Sequence, residues 1–380
     1  MIKTKLPKVS TTIFTVMSQL ATQHRAINLA QGFPGFDCSD ELKNLATQYM
    51  MQGHNQYAPM HGVAKLREAL ANKTQSFYDI TYDPESEITI VSGATEAIFN
   101  AITCTIHRGD EVIILEPAYD SYVPAVELCG GIPVFVSLNR VDFSVNWEAV
   151  KNAITPKTKM IVVNTPHNPT GYVWTSEDLI QLEMLVIDTE ILIVSDEVYE
   201  HISFDGRKHL SLMTNKVLRN RTFICGSFGK TYHITGWKIG YCFAPAMLTK
   251  EFRKVHQYIT FSTATPLQFA LAEYLENPHH YLELCAFYQR KRDLFCNGLS
   301  STRFHFNPAQ GSFFQMLSFG HLTDEPDVDF AIRLTKSIGV ASIPVSSFFH
   351  DKQDTRLLRF CFAKNDEVLE RAIGLLHQLN

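Results

Sequence analysis

The feature that most constrains this chain is an alternation running from about residue 88 to residue 244. Short unbroken apolar runs recur there: ITIV (88–91), EVIILE (111–116), IPVFVS (132–137), KMIVVN (159–164), ILIVSD (191–196) and RTFICGS (221–227). Most are followed by a stretch with the apolar spacing of a helix. A strand with one wet face would alternate apolar and polar residues; a continuous run implies cover on both faces. The pattern therefore predicts an α/β fold with a mainly parallel sheet and helices on each side. Helices are expected from Ala94 and over 119–129, 147–154 and 177–187.

The flanks read differently. Before the sheet come an amphipathic segment (12–24), a helix from about residue 41, a Pro/Gly-punctuated turn around Tyr57 and a helix over 63–78. After it come helices over residues up to 258, 266–275 and 281–299, then strands over 313–317, 340–343 and 357–363. A large domain over 37–275 and a smaller α+β domain from 1–36 and 276–380 are expected.

Composition excludes several classes. With 380 residues, 45% of them hydrophobic, the chain is ample for a large core. Its net charge of −5 argues against a nucleic-acid partner, which needs a basic stripe. The eight cysteines have no C-x-x-C spacing and sit mostly in apolar runs, so buried free thiols are expected, with no metal site. No secretion signal and no apolar run of membrane-spanning length is visible, so the expected home is the cytoplasm, away from membranes.

Open α/β sheets bind ligands at the carboxyl ends of their strands, and those ends carry unusual residues here. Gly93, Ala94 and Thr95 open a helix whose free N–H groups suit a phosphate, although small residues are common at such turns. Tyr119 would stack on a flat ring or simply pack. Asn168, in NTPHNPTG, is rigidly held; turn chemistry alone would explain it. Asp196 follows an apolar run and should be buried, so it needs a partner: a protonated ring nitrogen, a helix cap or an ion pair. Tyr199 lies three residues on. Lys230, in SFGKTYHITGWKIG with Ser227 and Lys238, is placed where an amine is partly desolvated and kept reactive, or else is a solvated loop lysine. One ligand uses a phosphate site, a stacking ring, an amide, a buried acid, a phenol and a reactive amine together: pyridoxal 5′-phosphate (PLP).

The motifs QGFP, NQYAP, GATEA, NTPHNPTG, DEVYE, SFGKTYHITGWKIGY and RFCFAK follow one another along the chain. In this the sequence resembles the fold-type I, class I/II PLP aminotransferases over essentially its whole length. It is most similar to the kynurenine aminotransferase/glutamine transaminase K branch and, through TTIFTVMS, NQYAPM, DEVYEHI and VHQYITFS, to bacterial methionine aminotransferases.

The resemblance implies ping-pong transfer of an amino group from an apolar or aromatic amino acid to a 2-oxo acid. It implies Lys230 as the cofactor-bonding and proton-moving amine, with Asp196 on the ring nitrogen. Asn168 and Tyr199 would meet the phenolic oxygen, and Tyr119 the ring face. Gly93, Ala94, Thr95, Ser227 and Lys238 would hold the phosphate, with Tyr57 reaching it from a second subunit of a homodimer. Arg359 and Gly32 would take the substrate carboxylate, and Phe14, Phe261 and Phe313 would wall its side chain. Ala264 stands where the kynurenine branch carries a histidine, which favours the methionine-type expectation. Cysteine-S-conjugate β-lyase or kynurenine aminotransferase activity is the nearest alternative; a PLP-binding sensor without catalysis is one from another class.

Overall fold

The computed structural model describes residues 3–379. Helix α1 (Ile13–His24) starts at Thr12, whose side chain accepts from the Thr15 amide and caps one of the orphan N–H groups of the first turn. Strand β1 (Ile27–Asn28) follows, then α2 (Asp40–Met51) and α3 (Ala64–Tyr78).

The chain next lays down seven strands: β2 (Ile88–Val91), β3 (Glu111–Glu116), β4 (Ile132–Ser137), β5 (Thr158–Asn164), β6 (Leu192–Asp196), β7 (Thr222–Ser227) and β8 (Gly240–Phe243). They form one sheet of order β2-β8-β7-β6-β5-β3-β4. Pairings from β7 through to β4 are parallel, and only β8 runs antiparallel to its two neighbours. The unbroken apolar runs have the predicted cause. Val112 and Ile114 pack into one core with the 93–103, 122–128 and 246–259 helices, whereas Ile113 and Leu115 pack into another with the 176–186 helix. Successive side chains point to opposite faces, and both faces are covered.

A second, three-stranded antiparallel sheet is formed by β9 (Phe314–Ser318), β11 (Ile343–Pro344) and β12 (Leu357–Cys361), in the order β11-β12-β9. Strand β10 (Val340–Ala341) pairs in parallel with β1, tying the N-terminal segment to the C-terminal part. The single strand expected over 340–343 is thus two short ones, parted at Ser342 and serving different sheets. Two further boundaries differ. The helix expected from residue 119 begins at Tyr122, because Asp120 and Ser121 form a turn first. The helix expected over 281–299 is interrupted at Glu283. All eight cysteines are free. Among the described residues no helix is long and apolar enough to cross a membrane.

Candidate active site

A cavity of about 430 Å³ opens at the carboxyl ends of β2, β3, β5, β6 and β7, between them and β12. It gathers Phe14, Gly32, Gly93, Ala94, Thr95, Tyr119, Asn168, Asp196, Tyr199, Ser227, Lys230, Lys238 and Arg359. A larger cavity, about 620 Å³, lies between the 137–143 and 305–310 segments. It contains no lysine and no buried carboxylate, so size is a poor guide here and chemistry the better one.

Lys230 sits on the one-turn helix that follows β7, and its Nζ donates to the Gly32 carbonyl. Burial pulls the ammonium down to about 8, and the nearby Arg359 and Lys238 charges act in the same sense. Nζ also lies 5.8 Å from the Tyr199 ring centre and 5.6 Å from that of Phe313. Gly32 is fixed by space: a Cβ there would come within 2.7 Å of Phe314.

Asp196 ends β6 and is buried. Burial pushes its carboxyl up to about 6, opposed by hydrogen bonds from Tyr122 and the Val198 amide and by the Lys230 charge. Tyr122 Oη donates to Oδ2 at 2.7 Å. Asn164 braces this end of the sheet: its Nδ2 donates to the Asp196 carbonyl and its Oδ1 accepts from the Asn168 amide, each at 2.8 Å.

Arg359, on β12, is buried with its guanidinium 3.9 Å from the Phe314 ring centre. It donates to Asn168 Oδ1 at 2.8 Å and to the Ala30 carbonyl at 2.9 Å, while its Nε has no partner among the described residues. Burial lowers it to about 10, still a cation at neutral pH. A buried guanidinium with spare donors suits a carboxylate.

At the other end of the cavity Gly93 adopts φ +76, and a Cβ on it would lie 3.2 Å from Lys238 Nζ. The helix Gly93–Thr103 thus presents its first N–H groups beside an ammonium, which suits an anion. Ser227 Oγ caps the Lys230 helix, accepting from the Gly229 amide at 3.1 Å.

Three of the expected residues do not line this cavity, two of them, Tyr57 and Phe261, having been expected to serve a second subunit. Tyr57 is 84% exposed and packs edge-on against Phe261, ring centres 5.4 Å apart; neither lines the cavity. Phe313, expected as a wall, is fully buried against Tyr199 and Tyr288, and Phe314 is the wall instead. Neighbours on an extended chain face opposite ways, so only one of the pair reaches the cavity. Sequence reasoning also missed Tyr122, Asn164 and Asp120. For Tyr122 the available signal was its place in YDSY, three residues beyond Tyr119 at the same strand end.

This arrangement fits PLP on its own terms: an anion cup at one end, a buried acid, an amine of lowered basicity, and a guanidinium with unsatisfied donors at the other. Comparison with known proteins agrees. Residues 24–376 match the family described as aminotransferase class I and II. The chain is 47% identical to methionine aminotransferase of Escherichia coli (strain K12) over 378 residues, 99% of this chain and 98% of that protein. It is 34% identical to kynurenine–oxoglutarate transaminase of Dictyostelium discoideum, over 95% and 92% of the two chains. Its fold superposes on the crystal structure of an Escherichia coli protein with a methionine aminotransferase function at a TM-score of 0.98 and 46% identity, over 100% and 99% of the two chains. The chain belongs to the class I and II aminotransferase family. It is a PLP-dependent amino-acid aminotransferase with the type I fold of that group.

Proposed function

We propose that this enzyme moves the amino group of methionine, or of another long apolar or aromatic amino acid, to a 2-oxo acid, and that the cavity residues divide the work as follows. The carrying observation is that one cavity holds Lys230, Asp196 and Arg359 together. When bound, PLP supplies an electron sink for the bond broken at the substrate Cα. Lys230, with its basicity reduced, is the group that bonds the cofactor and carries a proton to and from carbon. Asp196 keeps the ring nitrogen protonated, and Tyr122 fixes the direction of that carboxylate. Asn168 and Tyr199 meet the phenolic oxygen, and Tyr119 covers the ring. Gly93, Ala94, Thr95, Ser227 and Lys238 hold the phosphate. Arg359 grips the substrate carboxylate beside Gly32.

The side-chain preference rests on Phe14, Phe314 and Tyr119, which line the cavity, and on the likeness to a methionine aminotransferase. Asp120 also lines it, so a substrate with a second carboxylate would meet an acidic side chain there. The large domain is taken as 37–275 and the small one as 1–36 with 276–380, so that Arg359 belongs to the small domain and Lys230 to the large. Exposed Tyr57 and Phe261 make sense as gifts to the site of a second subunit in a homodimer. Eight free cysteines suit a reducing cytoplasm.

The test is a panel of amino donors against a single oxo-acid acceptor. Methionine and the aromatic amino acids should exceed aspartate in kcat/KM by about tenfold or more; a preference for aspartate would overturn the substrate assignment.

A further inference from the structure

The turn that opens the anion cup carries a negative charge of its own. Glu96 lies in the first turn of the Gly93–Thr103 helix and is buried. An isolated carboxylate at a helix N-terminus is welcome, but next to a phosphate it repels. Its surroundings answer this. Oε2 accepts from the Ser92 amide, Oε1 accepts from Asn100 Nδ2 at 3.1 Å, and Oε1 lies 2.6 Å from Nδ1 of His256. His256 is fully buried, and its Nε2 is 2.8 Å from the Met60 carbonyl.

Proton counting decides the charge. A carbonyl oxygen only accepts, so Nε2 carries a hydrogen toward Met60. Glu96 already accepts from an amide N–H and a side-chain amide, which favours its ionised form. Burial pushes the carboxyl up, but His256 and the Ser92 amide outweigh this and hold it below the ordinary glutamate value. Nδ1 therefore faces Glu96 Oε1 across 2.6 Å with one hydrogen shared between them. The pair is neutral in sum. It links three separate segments: the Ser92–Gly93 turn, the 246–259 helix, and the loop from Asn55 to Met60 that presents Tyr57.

We propose that Glu96 and His256 are a charge-compensated positioning pair that sets the enzyme's affinity for the phosphate arm of its cofactor. They do so by pinning the Ser92–Gly93 turn to the Tyr57 loop while cancelling the Glu96 charge beside the bound anion. The inference rests on the PLP reading of the cavity. It assigns no contact with the cofactor to either residue.

The experiment compares dissociation constants of three probes on the apo-protein: PLP, pyridoxal, which lacks the phosphate, and inorganic phosphate. His256→Asn retains a donor toward Glu96 but removes the ring that shares a proton with it, leaving the Glu96 charge uncompensated. It should weaken PLP and phosphate by about tenfold and leave pyridoxal within about twofold. The double variant Glu96→Gln/His256→Asn is neutral again and should recover PLP affinity to within about threefold of wild type. A merely structural pair would weaken PLP and pyridoxal equally and would fall further in the double variant, and either result overturns the proposal. Should His256→Asn not fold, His256→Gln keeps the Met60 bond and gives the same PLP-to-pyridoxal comparison. Failure of wild-type protein to bind PLP covalently would instead defeat the cofactor-site reading, while phosphate affinity would still report on the pair.

Discussion

Two buried carboxylates leave the end of β6 four residues apart, Asp196 and Glu200, and each has a lysine nearby, yet they are opposites. Glu200 accepts from the Lys73 ammonium, from Tyr78 Oη at 3.0 Å and from Tyr241 Oη at 2.8 Å. Burial raises its carboxyl, but Lys73 and His201, through charge and hydrogen bonding, more than reverse that, holding it well below the usual range. Asp196 and Lys230 make no ion pair with each other; Lys230 has a backbone carbonyl, and Asp196 has a tyrosine and an amide. Burial therefore wins in both, raising the acid to about 6 and lowering the amine to about 8. Saturated charges hold a fold together. Charges buried without an opposite charge are a standing cost, and a protein keeps them where a ligand will complete them.

The contrast can be broken at either member. The largest effect is expected for Asp196→Asn on chemistry: half-transamination should fall by several orders of magnitude, since a neutral amide cannot keep a ring nitrogen protonated. Single-turnover rates within tenfold of wild type would remove Asp196 from that role. Next comes Glu200→Gln, which strands the buried Lys73 ammonium; unfolding in urea should show a loss of about 3–5 kcal/mol. An unchanged midpoint would mean that the Glu200 cluster is not a structural ion pair.

The smallest effect has the opposite sign. In the apo-protein Asp196→Asn should be more stable than wild type at pH 8. The folded value of Asp196, about 6, lies above the ordinary 3.8, so the native state holds the extra proton between those values. Its stabilising share is present below pH 4 and is lost as pH rises through 6. The variant's advantage, up to about 3 kcal/mol at pH 8, should vanish near pH 4. A gap independent of pH would contradict a strained carboxylate.

How much of this was legible depended on sequence distance. The sheet was readable because a strand covered on both faces writes itself as an unbroken apolar run. Lys230, Asp196, Asn168 and the Gly93 turn were readable because each directly follows such a run. For Tyr122 the place in YDSY puts it near a strand end, but its partner lies 74 residues away and the motif does not encode that bond. Glu96 and His256 were lost likewise: each looked like an ordinary helix residue, and only the packing of two helices brings them to 2.6 Å. For Phe313 and Phe314 the composition was right but the facing was not. Two adjacent aromatics at a strand's start do not declare which one turns toward the cavity, and burial of Phe313 against Tyr288 decided it. Tyr57 and Phe261 are expected as donors to a second subunit's site, and neither lines the cavity of its own chain.

The central claim is that the one amine poised to bond the cofactor is Lys230. Reduction of the PLP-loaded protein with borohydride, followed by peptide mass spectrometry, tests it directly. A single phosphopyridoxyl group on Lys230, lost together with the visible absorbance in Lys230→Ala, is the expected result. The same group on Lys238 or a surface lysine, with the Lys230→Ala spectrum unchanged, would contradict the account.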